Sequence, residues 1–108
     1  MFTINQEVLA KDLGNGVTRK ILSYSSSLMV CELTFDKGAV GVLHSHPHEQ
    51  IGYVISGSFE VEEENQEKRI LSAGDTYYIA PNIQHGVRAL ENSLLLDVFT
   101  PMRKDFIE

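Results

Sequence analysis

The stretch Gly38-Ala39-Val40-Gly41-Val42-Leu43-His44-Ser45-His46-Pro47-His48-Glu49-Gln50-Ile51-Gly52-Tyr53-Val54-Ile55-Ser56-Gly57 holds three of the four histidines of the chain. His44 and His46 are two residues apart, so on an extended strand their rings project from one face, as two ligands of one metal ion must. Gln50 follows Pro47, where a turn is expected to bring it back beside them. Neutral imidazole nitrogen with an amide carbonyl oxygen forms a mixed N/O set suited to a divalent Zn, Ni, Mn or Fe ion. From Gln50 onward the pattern alternates, with Ile51, Tyr53 and Ile55 on one face and Gln50, Gly52 and Val54 on the other. Glu49 beside Gln50 keeps open a register in which Glu ligates, although on a strand that ends in Gln50 it points to the opposite face. His48, on the way into the turn, reads as a surface residue or a supporting one rather than a ligand.

Written as spacing, the stretch is G-x5-H-x-H-x3-Q-x6-G. A second stretch, Gly74 to His85, has Ala80 and Asn82 at the third- and second-last landmarks of a G-x5-P-x-G-x2-H pattern. Together the two resemble the paired motifs of the cupin family, with Gln50 where the family carries Glu, Ala80 where it carries Pro and Asn82 where it carries Gly. Asn is the non-Gly residue most at ease with positive φ, so a tight turn at Asn82 survives the exchange, and Pro81 still stiffens it. His85 is then the fourth ligand. The resemblance implies an all-β, single-domain cupin over residues 1–108, a double-stranded β-helix or jelly-roll barrel, with core motifs at 38–57 and 74–89.

The rest of the chain agrees with that frame. Its 108 residues suffice for one core. A formal net charge of −6 argues against nucleic acid or an anionic membrane as partner. It leaves room for a small anionic substrate, because a bound cation dominates its own neighbourhood. No apolar run is long enough to span a membrane, and the start lacks the pattern of a signal peptide, so a cytoplasmic protein is expected. The single Cys31 alternates with Met29, Leu33 and Phe35 and reads as a small core residue. Strands are expected at Val17–Tyr24, Leu28–Phe35, Gln50–Ser56, Phe59–Glu62, Lys68–Leu71, Thr76–Ile79, His85–Leu90 and Ser93–Thr100, with a last helical turn at Arg103–Ile107. Residues 1–9 are expected to be an edge strand available for a homodimer contact.

Two features carry chemistry. Three imidazoles and an amide leave the whole +2 charge on the ion, which strengthens it as a Lewis acid and suits an oxygen-rich anion. The same set is a poor match to the two-histidine, one-carboxylate pattern of iron oxygenases. Asp97 interrupts the apolar strand Ser93–Thr100, where an ionised carboxylate is costly unless it is paired or functional. It reads either as the partner of Arg19, Arg88 or Arg103, or as a general acid/base with a raised pKa. Phe99 shares its strand face, and Arg103 is a candidate clamp for a substrate carboxylate.

The run His44 to Val61, with Asp97-Val98-Phe99-Thr100-Pro101-Met102-Arg103 at the end, is similar to the KdgF family of small pectin-degradation cupins. The resemblance implies ring opening of 4,5-unsaturated monouronates from pectin or alginate into linear ketonised sugars. It also implies His44, His46, Gln50 and His85 as metal ligands, and Asp97, Phe99 and Arg103 in the substrate site. A non-catalytic sugar-acid-binding cupin, and an oxygenase or another isomerase on the same fold, are the competing expectations.

Overall fold

The structure is a computed structural model that describes residues 1–108. Ten strands form two antiparallel sheets. The larger sheet runs β1 (Lys11–Gly14), β2 (Val17–Tyr24), β3 (Met29–Phe35), β10 (Ser93–Thr100), β5 (Glu49–Ser56) and β8 (Thr76–Ile79) in spatial order. The smaller runs β4 (Val40–His44), β9 (His85–Ala89), β6 (Ser58–Glu63) and β7 (Arg69–Ser72). Neighbours in space are distant in sequence, so the chain crosses repeatedly between layers, as a jelly roll does. A single helical turn, α1 (Lys104–Ile107), ends the chain.

The strands form where residues alternate. In β5 the inward Gln50, Gly52 and Val54 are buried while Ile51, Tyr53 and Ile55 stand outside. In β10 every inward residue from Ser93 to Phe99 is buried. One end of the space between the sheets is a dry core of Val17, Phe35, Ala39, Val54, Phe59, Val61, Ala89 and Leu95. There the Phe35 and Phe59 rings meet edge to face, 5.1 Å between centroids and 88° between planes, the arrangement the ring quadrupoles favour. The other end holds a smaller cluster of Met29, Cys31 and Phe99, and beside it the buried polar groups His46, Gln50, His85 and Asp97.

Two expectations need correction. Residues 1–9 form no strand: they contain only a 3-10 turn at Asn5–Glu7, held to the sheet by Lys20 donating to Asn5 at 2.8 Å and by Asn5 donating to Glu32 at 3.1 Å. The edge on that side of the larger sheet is β1, which pairs with β2 through a hairpin whose Gly14, Asn15 and Gly16 all have positive φ. His46 is not on a strand, since β4 ends at His44.

Candidate metal centre

The histidines are gathered from different elements. His44 ends β4 and His85 begins β9, and the two are cross-strand partners. His46 lies in the connection between β4 and β5, and Gln50 sits one residue into β5 on its inward face. The turn of the second motif fastens this connection: Asn82, at φ 64°, donates its backbone N–H to the His46 carbonyl at 2.7 Å. The expected tight turn at Asn82 is thus present, and it ties the two motifs to each other.

Each ring is oriented by its Nδ1. That atom contacts the Val42 carbonyl in His44 at 2.8 Å, the His48 carbonyl in His46 at 3.1 Å, and the Ile83 carbonyl in His85 at 2.9 Å. A carbonyl only accepts, so Nδ1 carries the proton and Nε2 presents a lone pair. The ligating atoms of His44, His46 and His85 lie within 4.8 Å of one another. Gln50 Oε1 lies 2.9 Å from His46 Nε2 and 3.1 Å from His85 Nε2. Acceptor thus faces acceptor with no proton between them, an arrangement a cation at the centre would resolve. Burial lowers the pKa of His46, and that of His85 to about 4, so both rings are neutral at neutral pH, as metal ligands must be. The residues present therefore fit a single divalent transition-metal ion, and the carbonyls on Nδ1 are the supports such ligands usually have.

Gln50 joins this centre to Asp97. Its Nε2 donates to Asp97 Oδ1 at 3.0 Å, on the opposite side of the amide from Oε1. Asp97 is 7% exposed, and burial pushes its carboxyl up to about 7 against the lowering effect of hydrogen bonds from Gln50 and Tyr77 and the charge of Arg103. No arginine pairs with it. Arg19 stacks on the Phe106 ring at 3.8 Å, Arg88 reaches Glu60 at 3.5 Å, and Arg103 binds Asp105 at 2.9 Å. The paired reading of Asp97 is thereby removed. Phe99 is buried with its ring 5.7 Å from that of His46, the two nearly perpendicular. Arg103 is no solvated tail residue: its side chain is 12% exposed, and it lies over both Phe99 and Phe106. His48 is a support rather than a ligand, with Nε2 on the Met102 carbonyl at 3.2 Å. Glu49 faces outward and accepts from the Tyr78 hydroxyl at 2.7 Å.

The comparisons with known proteins agree with this architecture. The cupin domain model matches residues 31–99. The chain is 47% identical to the pectin degradation protein KdgF of Dickeya dadantii over 98% of its length and 97% of that protein's. It is a cupin of the KdgF family. The solved KdgF from a Halomonas species superposes with a TM-score of 0.93 at 46% identity, covering 98% of this chain and 97% of that one. An RmlC-like cupin from Shewanella frigidimarina reaches 0.94 at 35% identity, over 97% and 94% of the two chains.

Sequence reasoning passed over Tyr77. It lies inward on β8, with its ring and hydroxyl over Gly52, the residue that pairs with both Tyr77 and Asp97. The signal was Gly52, an isolated glycine inside a strand pattern, which marks the close approach of another group.

Proposed function

We propose that this protein opens the ring of 4,5-unsaturated monouronates, the sugar acids released from pectin or alginate, to give linear keto sugars. Gln50 carries the reading. One side of its amide meets the histidine nitrogens and the other holds Asp97, so an electrophilic centre and a proton-transfer group share one side chain. The 47% identity to a KdgF named for pectin degradation supports the substrate class.

A divalent ion held by His44, His46, His85 and Gln50 would supply Lewis-acid stabilisation of negative charge on substrate oxygens. The chain's own residues account for the proton. Ionised Asp97 accepts it from the anomeric hydroxyl. A carbonyl forms at that carbon as its bond to the ring oxygen breaks, which leaves an enolate at C5. Asp97 then delivers the proton to C4 and the enolate becomes a ketone, so the reaction is an isomerisation with no atom gained or lost. A carboxyl pushed up to about 7 is suited to both transfers. Arg103 receives the substrate carboxylate. Asp105 engages only its Nε and Nη2, and a guanidinium has five N–H donors. Phe99 shapes the wall against the sugar face. The same reading takes the protein as a homodimer, because Ile51, Tyr53 and Ile55 form an exposed apolar row on the outside of the larger sheet that a second copy would cover.

The test is to mix metal-loaded protein with a 4,5-unsaturated galacturonate monomer and follow the loss of its alkene ultraviolet absorbance against the uncatalysed control, with the product identified by NMR. Acceleration to a linear keto acid is expected. Tight binding without acceleration would point to a non-catalytic sugar-acid cupin, and oxygen consumption to an oxygenase.

A further inference from the structure

We propose that Tyr77 is the positioning residue for Asp97, and that a glycine occupies position 52 so that Tyr77 can reach it. The kinetic half of this proposal rests on the ring-opening reading above; the structural half does not.

The larger sheet sets the geometry. Its register aligns Cys31, Asp97, Gly52 and Tyr77 in one row across β3, β10, β5 and β8. Asp97 and Tyr77 are therefore two strands apart, about 10 Å along the sheet. Side chains at that separation do not normally meet, because the residue between them fills the gap. Here the intervening residue has no side chain. A β-carbon built on Gly52 would overlap the Tyr77 ring and stand 2.7 Å from its hydroxyl oxygen. Tyr77 thus lies over Gly52 with its hydroxyl directed toward Asp97.

Asp97 accepts from the Gln50 amide at 3.0 Å, and the Tyr77 hydroxyl approaches it across Gly52. One donor leaves a carboxyl free to turn about its last bond, and a second from the Tyr77 hydroxyl would fix its plane. A phenylalanine would fill the same space beside the dry core, against which the Tyr77 ring packs. The hydroxyl has a reason to be there only if it has a partner, since burying it alone is costly. Gln50 is itself drawn toward the histidines by its Oε1, whereas Tyr77 comes to Asp97 from β8, a strand that carries none of the metal-site residues.

The test begins with Tyr77→Phe, which removes one oxygen and opens no cavity. We expect kcat to fall about 10- to 100-fold, with KM within about twofold and with metal content and melting temperature unchanged. A merely structural role would not produce that split. In the metal-free protein, the Tyr77 hydroxyl proton should give a slowly exchanging downfield NMR signal, absent in Tyr77→Phe and displaced in Asp97→Asn. Gly52→Ala should push the ring aside and reproduce the kcat loss with Tyr77 still present. A Tyr77→Phe enzyme with the parent kcat, or a hydroxyl signal that Asp97→Asn does not move, overturns the proposal. A protein that shows the coupled signal but leaves the uronate unchanged supports the Tyr77–Asp97 contact and overturns the substrate reading alone.

Discussion

Leu95 and Asp97 sit two residues apart on the same face of the same strand, yet they belong to different kinds of interior. Leu95, 2% exposed, is packed among Val54, Phe59 and Ala89. Asp97, a step of about 7 Å farther along, is also buried but keeps company with Gln50 and Tyr77, beside the histidine cluster that Gln50 joins. The first region gains stability by removing apolar surface from water. The second holds a carboxyl that burial pushes up to about 7 and imidazoles that burial keeps neutral. The frame is common to both, and the dry end holds the strands that the polar end uses to aim its groups.

The largest effect should come from breaking the polar end without touching the dry one. Asp97→Asn keeps size and burial and is expected to lower turnover by roughly 10³-fold, with bound metal, measured by elemental analysis, retained. The converse change is Phe59→Ala, which should cost about 3–5 kcal/mol in denaturant unfolding while turnover per folded molecule stays close to that of the parent. If either substitution produced the other's phenotype, the separation of the two regions would fail.

Gln50→Glu tests the link between the ion site and Asp97. It replaces the N–H that donates to Asp97 with a second carboxylate oxygen, and two adjacent carboxylates cannot both ionise freely. Activity near neutral pH should fall about 10- to 100-fold, and the pH profile should move upward, because Asp97 holds its proton longer. An unmoved profile would remove the Gln50–Asp97 bond from the mechanism.

The smallest effect is one of pH on stability in the metal-free protein. Folded Asp97 keeps its proton up to about 7 and the unfolded residue releases it near 3.8. Between those values the folded state binds more protons, so raising the pH weakens the fold. His85 acts oppositely: with a folded value of about 4 and an unfolded one of 6.5, its contribution is lost as pH falls through that window. Asp97→Asn removes only the first effect. The melting temperature of the variant relative to the parent should therefore climb from pH 4 to pH 7, and a constant difference would contradict the raised pKa.

The sequence made the strands legible where one face is buried and the other is not, as in β2, β3, β5 and β10. Strand β1 escaped because all four of its residues are exposed and give no alternation. The histidines were legible through spacing, but their convergence owes more to the His44–His85 cross-strand pair and the Asn82–His46 backbone bond than to a shared strand face. The environment of Asp97 was the least legible. Three arginines were equally eligible as partners, and only the folded chain assigns them to Phe106, Glu60 and Asp105. Tyr77 and Tyr78 are neighbours with opposite orientations, and the register against Gly52 decides which of them faces inward.

On the proposed reading, three imidazole Nε2 atoms and the Gln50 carbonyl hold one divalent ion on which turnover depends. The most direct measurement is a metal titration of chelator-stripped protein, with bound ion and loss of uronate absorbance followed in the same samples. We expect no activity above the uncatalysed rate in the stripped protein, and full recovery as one equivalent of ion binds. A stripped protein that turns over at the parent rate would contradict that reading.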